Sequence, residues 1–131
     1  METLTLKVRI SVLWLFMAVA MYRCWSCLEP GVVEKILAGE MAQFQTPGML
    51  LFGALFWLIP LAMAFLSVTL KDVANRWANI ILGIVFTVLN IYHLTIHFAE
   101  PSAHELLIVG STIVATALIA WYAWKWPTQE A

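Results

Sequence analysis

The segment GMLLFGALFWLIPLAMAFLSVTL, Gly48–Leu70, carries no charged side chain over its whole length. A helix needs about 20 apolar residues to cross the ~30 Å hydrocarbon core of a bilayer. Inside lipid, a segment must also satisfy its own backbone hydrogen bonds, which a helix does within itself. The segment therefore predicts a transmembrane helix.

Three similar runs lie on either side of this segment, at Val8–Cys27, Trp77–Phe98 and Leu106–Trp124. The last two also lack Asp, Glu, Lys and Arg, and the first has arginines only near its ends. We therefore predict an all-α, four-helix transmembrane bundle that forms a single domain over residues 1–131. Small residues within the first run resemble a signal-peptide cleavage site, but apolar and aromatic residues continue beyond them to Trp25, so we expect an uncleaved helix.

The composition agrees with a membrane protein and limits the functions that remain. The chain has 131 residues, of which 63% are hydrophobic and 11% charged, whereas soluble domains contain about 25% charged residues. Seven Lys and Arg against eight Asp and Glu leave a net charge of -1, which offers no basic surface for nucleic acid. No nucleotide-binding loop, nucleophile elbow or zinc-protease motif is present, so the sequence favours a non-enzymatic role.

Basic residues predict the orientation of the bundle in the membrane. One side of the predicted spans carries five of them, and only Arg23 and Lys35 fall on the other. The five are Lys7, Arg9, Lys71, Arg76 and Lys125. By the positive-inside rule we expect both termini in the cytoplasm. Aromatic residues near the same side predict an interfacial anchor, formed by Trp77, Trp121, Tyr122, Trp124 and Trp126.

The loop between the first two spans is the longest, from Leu28 to Pro47. Pro30 suits the start of a helix and Gly39 its end. Apolar residues at helical spacing alternate with charged ones between these two positions. The pattern predicts a short amphipathic helix on the outer membrane surface.

The third span carries a row of small and polar residues with spacings of 4, 4, 3, 3 and 4. The row, which we call the polar row, consists of Asn79, Gly83, Thr87, Asn90, His93 and His97. These spacings place all six residues on one helical face. Polar groups avoid lipid, so this face is expected to point into the bundle or a partner subunit, where Asn79, Thr87, Asn90, His93 and His97 would line a pocket.

The two histidines predict a possible metal or haem site. His93 and His97 are four residues apart, which lets both imidazoles reach one ion. A further ligand can come from Glu100, His104 or Glu105. Zinc or copper suits such a donor set, and a haem could use either span histidine as axial ligand. The alternative is a pair of neutral histidines hydrogen-bonded within the bundle.

A C-x-x-C pair, Cys24 and Cys27, lies at the outer end of the first span. Such a pair on an extracytoplasmic face can perform redox chemistry, and in a membrane bundle its electron acceptor would be a quinone. The helix C-terminus, however, disfavours the reactive thiolate. A structural disulfide or two packed thiols are the alternatives.

Small residues on the fourth span permit close helix contact. They form two pairs four residues apart, Ser111 with Ala115 and Thr116 with Ala120. The contact could be made within the chain or in a homo-oligomer, and the sequence does not separate the two.

Three stretches make the chain similar to a known family. They are Pro30-Gly31-Val32 with Ala38-Gly39-Glu40, then Asn75-Arg76-Trp77-Ala78-Asn79-Ile80-Ile81, and Trp121-Tyr122-Ala123-Trp124-Lys125-Trp126. They resemble an uncharacterised family of small bacterial four-helix membrane proteins, a domain of unknown function. The resemblance implies a multi-pass protein of the bacterial plasma membrane and implies no activity. The cysteine pair and the histidines do not belong to that pattern.

The sequence thus leaves three hypotheses open. The first is a binding or accessory membrane protein with a histidine-containing polar pocket, for a metal, a haem or a small molecule, on the extracytoplasmic side. The second is a membrane thiol oxidoreductase that uses Cys24 and Cys27. The third is a purely structural or oligomerising bundle, in which packing fills the polar row.

Overall fold

The computed structural model describes residues 2–25, 31–40, 42, 46–98 and 102–127, with the backbone alone at 22–25, 32 and 97. This part of the chain is helical and contains no strand, which confirms the predicted all-α class. The five helices are α1 (Thr3–Trp25), α2 (Val32–Leu37), α3 (Pro47–Thr69), α4 (Asp72–His97) and α5 (Ala103–Trp124).

The four long helices, α1, α3, α4 and α5, are each long and apolar enough to cross a membrane. The shortest of them, α5, has 22 residues and therefore extends over about 33 Å at ~1.5 Å per residue. These helices coincide with the four predicted spans. They begin up to five residues earlier than the apolar runs because polar residues such as Asp72 form their first turns.

Contacts near the helix ends show how the bundle is arranged. Lys7, near the start of α1, contacts Leu70 in the connection between α3 and α4 and Asp72 at the first position of α4. Arg9, also near the start of α1, lies over the Tyr122 ring near the end of α5. The start of α1, the α3–α4 turn and the end of α5 therefore lie at one end of an up-and-down bundle. We call this the basic end, because it carries the five predicted residues Lys7, Arg9, Lys71, Arg76 and Lys125.

The helices do not pack equally closely against each other. α1 lies against both α3 and α5, and α5 lies against α4, whereas α3 and α4 approach one another less closely. Aromatic rings fill the middle of the bundle. The Trp14 and Phe86 rings meet edge to face at 5.6 Å, and the Phe56 and Phe86 rings lie 5.2 Å apart. The core therefore joins α1, α3 and α4 through side chains even where two backbones are apart.

The outer surface of the bundle is apolar, as expected for a protein surrounded by lipid. Large apolar side chains are exposed along all four long helices, among them Val12, Leu58, Ile84 and Val114. Several polar side chains are completely buried: Ser67, Asn75, Asn79, Asn90, Thr112 and Thr116. Polar residues thus lie inside and many apolar residues lie outside.

The short helix in the first long loop is present as α2. Gly31 and Gly39 flank it with φ angles of 87° and 78°, a left-handed conformation that glycine adopts at little cost. Val33 and Leu37 remain exposed in the isolated chain, which is compatible with a helix that lies on a membrane surface. The predicted starting residue, Pro30, lies outside the described residues.

Trp126 differs from the expectation for an interfacial anchor. Trp121, Trp124 and Trp77 are more than half exposed, but only 4% of Trp126 is accessible, and this residue joins the core. The physical reason is a turn at Lys125, where the backbone N–H of Trp126 donates to the carbonyl of Ala123. This turn directs the ring back against the end of the bundle.

Candidate functional site

The polar row of α4 faces the interior of the bundle over most of its length. Asn79, Gly83 and Asn90 are buried, whereas Thr87 and His93 are partly exposed. The side chain of His97 lies outside the described residues. The periodicity of the sequence therefore predicted the correct inward face.

A hydrogen-bond network holds Asn79 at the end of the row nearest the basic end. Asn79 Oδ1 accepts from Trp14 Nε1 at 2.7 Å and from Ser67 Oγ at 3.2 Å. Asn79 Nδ2 donates to Asn75 Oδ1 at 2.6 Å. Asn75 Nδ2 in turn donates to the carbonyl of Ser67 at 2.7 Å. We call these four residues the amide network; it joins α1, α3 and α4, and it uses the polar atoms of Asn79 within the protein.

Sequence reasoning missed three members of the amide network. The sequence could have identified Asn75, because it precedes Asn79 by four residues and extends the polar row by one turn. The sequence could not have identified Ser67 or Trp14, since a serine or a tryptophan in an apolar span does not reveal its partner. Asn79, which we predicted as a pocket residue, therefore has a structural role here.

The middle of the polar row forms a close contact between α4 and α5. A Cβ atom added to Gly83 would lie 3.0 Å from the backbone N and 3.1 Å from the Cβ of Ala120. One turn further along α4, the Thr87 hydroxyl lies 2.9 Å from the Thr116 hydroxyl. The small residues Thr116 and Ala120 of α5 thus serve packing within the chain, which is one of the two interpretations that the sequence left open.

Asn90 lies next along the row and is only partly satisfied. Its side chain has no accessible surface. Its Nδ2 approaches the carbonyl of Thr112 at 3.5 Å, the limit of a hydrogen bond. That carbonyl already accepts from the Thr116 hydroxyl at 2.9 Å. Among the residues that the structure describes, Oδ1 of Asn90 has no hydrogen-bond partner. A buried acceptor without a partner costs about 1–3 kcal/mol and calls for a physical explanation.

The predicted metal ligands are only partly described. His93 is half-buried, one turn beyond Asn90 on α4. His104 is exposed at the start of α5, with Nδ1 2.8 Å from Ser102 Oγ. The side chain of His97 and all of Glu100 lie outside the described residues. Within the described part of the chain, no three His, Cys, Asp or Glu side chains form a group that could hold a metal ion.

The predicted redox pair, Cys24 and Cys27, also lies largely outside the described residues. Cys24 belongs to the last turn of α1, but its side chain lies outside the described residues, as does Cys27. Catalysis by this pair, with a quinone as acceptor, stays a prediction.

Charged side chains at the basic end contact neighbouring helices. Lys7 Nζ forms a 2.9 Å ion pair with Asp72. Arg76 Nε donates to the carbonyl of Ala123 at 3.3 Å, and its Nη2 approaches that of Trp124 at 3.4 Å. These carbonyls belong to the last turn of α5, where a cation is favourable. Lys7 thus links the start of α1 to α4, and Arg76 links α4 to the end of α5.

These features define a small helical membrane protein whose buried polar groups mostly bind one another. A profile described as "Family of unknown function (DUF6326)" matches residues 4–131. The chain belongs to this family, in agreement with the resemblance of its sequence motifs to an uncharacterised family. No curated protein and no solved structure matches the chain.

Proposed function

We propose that the protein is a non-catalytic binding or accessory protein of the bacterial plasma membrane, with both termini in the cytoplasm. Its ligand site lies between α4 and α5, where the polar row reaches Asn90 and His93. The observation that supports this location is the buried Oδ1 of Asn90, which lacks a hydrogen-bond partner among the described residues.

The chemistry at Asn90 favours a ligand that presents a hydrogen-bond donor. An amide oxygen accepts hydrogen bonds, so a hydroxyl, amine or amide group of a small molecule suits it. His93 is half-buried and lies one turn away on the same face of α4. If the ligand were zinc, copper or a haem, the further candidate ligands are His97, Glu100 and His104, which follow in the sequence.

The other residues of the polar row favour a binding site only at the end that carries Asn90 and His93. Asn79 and Thr87 have partners inside the protein, so they position helices rather than ligands. No Asp, Glu, Lys or Arg lies between Trp77 and Phe98, whereas proton-coupled transport usually needs such a residue inside the membrane. A binding site near one end therefore fits the chemistry better than a continuous pathway.

The experiment compares Asn90→Leu with the wild type in native membrane discs extracted without detergent, so that the natural ligand is retained. Leucine keeps the branched shape and the number of side-chain heavy atoms of asparagine, with a larger volume, and removes the unsatisfied oxygen. If a ligand occupies the site, it stabilises the wild type, and Asn90→Leu both lowers the midpoint of thermal unfolding and loses the bound species. If the site only packs, removal of a buried unsatisfied group raises the midpoint, and the proposal is wrong.

Thr87→Val is the matched control for this experiment. It removes a polar group from the same row but leaves Asn90 and His93 in place. We expect it to reduce stability modestly without loss of any bound species, because Thr87 bonds only to protein groups.

A further inference from the structure

An open pocket at the basic end lies between the start of α1 and the end of α5. Its volume is about 460 Å³, within the roughly 300–1,000 Å³ that is usual for small-ligand sites. Its walls come from both helices and from the residues just after α5: Leu6, Arg9, Trp121, Tyr122, Lys125 and Pro127. We call it the rim pocket; it is separate from the polar row.

Two cations lie against aromatic walls of the rim pocket. The Arg9 guanidinium carbon lies 5.9 Å from the centre of the Tyr122 ring. The Lys125 Nζ lies 4.3 Å from the centre of the Trp121 ring. Cation–π attraction of this kind orients an exposed cation. Both cations are exposed and line the same pocket.

The positive charge of the rim pocket is not neutralised by a described acidic residue. No Asp or Glu lines the pocket. Asp72, an acidic residue of the same end, forms an ion pair with Lys7 instead. Among the described residues, neither Arg9 nor Lys125 takes part in a salt bridge. The pocket thus presents a net charge of about +2 and suits an anion.

The position of the pocket favours a lipid as the source of that anion. Tryptophan and tyrosine near the end of a span typically lie at headgroup level. Basic pockets between transmembrane helices on the cytoplasmic side bind anionic headgroups. Apolar residues continue from the pocket along the same helix faces, with Val12 three residues after Arg9 and Leu118 three residues before Trp121. Both are exposed and offer a surface for acyl chains.

We propose that the rim pocket binds the phosphate group of an anionic phospholipid from the surrounding leaflet. The Arg9 guanidinium suits a phosphate because it can donate two parallel hydrogen bonds. Lys125 adds a second positive charge, and the aromatic rings enclose the headgroup.

The test is native mass spectrometry of the purified protein with phosphatidylglycerol and phosphatidylcholine that carry identical acyl chains. The wild type is expected to retain phosphatidylglycerol preferentially. Each lost cation near a membrane surface should reduce the preference roughly fivefold, and Arg9→Gln with Lys125→Gln should reduce it roughly 25-fold. An unchanged preference in this double variant would overturn the proposal.

Two control variants separate the pocket from general charge and from misfolding. Lys35→Gln with Lys71→Gln removes the same number of charges outside the pocket and should keep the preference. Arg9→Lys with Lys125→Arg keeps both charges and should also keep most of it. Equal loss in the Lys35 and Lys71 variant would show that net charge alone attracts the lipid and would contradict a specific site.

Competition with inorganic phosphate distinguishes a lipid from a soluble anion. Phosphate at millimolar concentration should leave the bound phosphatidylglycerol in place, because it lacks the acyl chains. Complete displacement would identify the rim pocket as a site for soluble phosphate, and the lipid proposal would be wrong. This outcome does not depend on whether the Asn90 site binds a ligand.

Discussion

The indole Nε1 of Trp14 donates a 2.7 Å hydrogen bond to Oδ1 of Asn79, a residue 65 positions later in the chain. Both side chains are completely buried. The bond joins α1 to α4, two helices that are not neighbours in the sequence. It also leads directly into the contacts of Asn79 with Ser67 and Asn75. The amide network thus fixes the relative position of three helices near the basic end.

Trp14→Phe tests the strength of this connection. The variant keeps an aromatic ring against Phe86 but removes the indole donor, so Asn79 Oδ1 retains only the longer bond from Ser67. We expect a loss of about 1–2 kcal/mol in the free energy of unfolding, the upper range for hydrogen bonds between membrane helices. Reversible denaturation in mixed micelles measures this change in the free energy of unfolding.

Trp77→Phe is the control for that variant, because Trp77 is exposed on the surface of α4. Exposed substitutions usually change stability by less than about 0.5 kcal/mol. If both variants lost the same free energy of unfolding, the buried Trp14–Asn79 hydrogen bond would make no measurable contribution to stability.

Gly83→Ala tests the close contact of α4 with α5. The added methyl group meets backbone atoms of Ala120 at 3.0–3.2 Å, so the backbone of α5 must shift by a few tenths of an ångström. We expect a cost of about 1–3 kcal/mol, as is typical of overpacking. The measurement is again the free energy of unfolding.

Gly110→Ala is the control for Gly83→Ala, and we expect it to have the opposite effect on stability. Nothing lies within 4 Å of the added Cβ atom, and alanine favours a helix by up to about 1 kcal/mol over glycine. This variant should therefore be neutral or more stable. If Gly83→Ala were equally harmless, the α4–α5 contact would not be as close as described.

Helix periodicity predicted much of this structure, for reasons that particular residues illustrate. The spacing from Asn79 to His93 identified the inward face of α4, because polar groups avoid lipid whatever their partners are. The same logic did not reveal Trp14, since an apolar aromatic residue belongs equally well in lipid and in the core. Its role depends on a partner from a distant part of the chain.

The end of α5 shows a second limit of sequence reasoning. Composition groups Trp121, Trp124 and Trp126 as interfacial residues. Only the turn after Trp124 decides that Trp126 packs inward. The rim pocket was not predicted either, because Arg9 and Lys125 are brought together by the antiparallel packing of α1 and α5.

Membrane orientation can be tested with single cysteines in a Cys24→Ser, Cys27→Ser background. Lys71→Cys lies in the turn at the basic end, and Glu34→Cys lies in α2. In intact bacterial cells, a membrane-impermeant maleimide should label position 34 and should label position 71 only after the membrane is opened. The reverse pattern would contradict cytoplasmic termini.

The redox state of Cys24 and Cys27 tests the oxidoreductase alternative. On an oxidising face the two thiols are expected to form a stable disulfide. Alkylation after acid quenching, followed by mass spectrometry, should then find both cysteines blocked until a reductant is added. A pair that instead cycles between thiol and disulfide with the redox state of added quinone would favour the oxidoreductase.

We have proposed that the Asn90 end of the polar row binds a ligand. The most direct measurement is native mass spectrometry, with quantification of zinc, copper and iron per chain, on protein purified without a histidine tag. We predict a near-stoichiometric bound species in the wild type that is lost in Asn90→Leu and in His93→Ala with His97→Ala. The proposal would be contradicted if the wild type carried neither a metal nor a small molecule. It would also be contradicted if the masses of the wild type and the variants differed only by the substituted side chains.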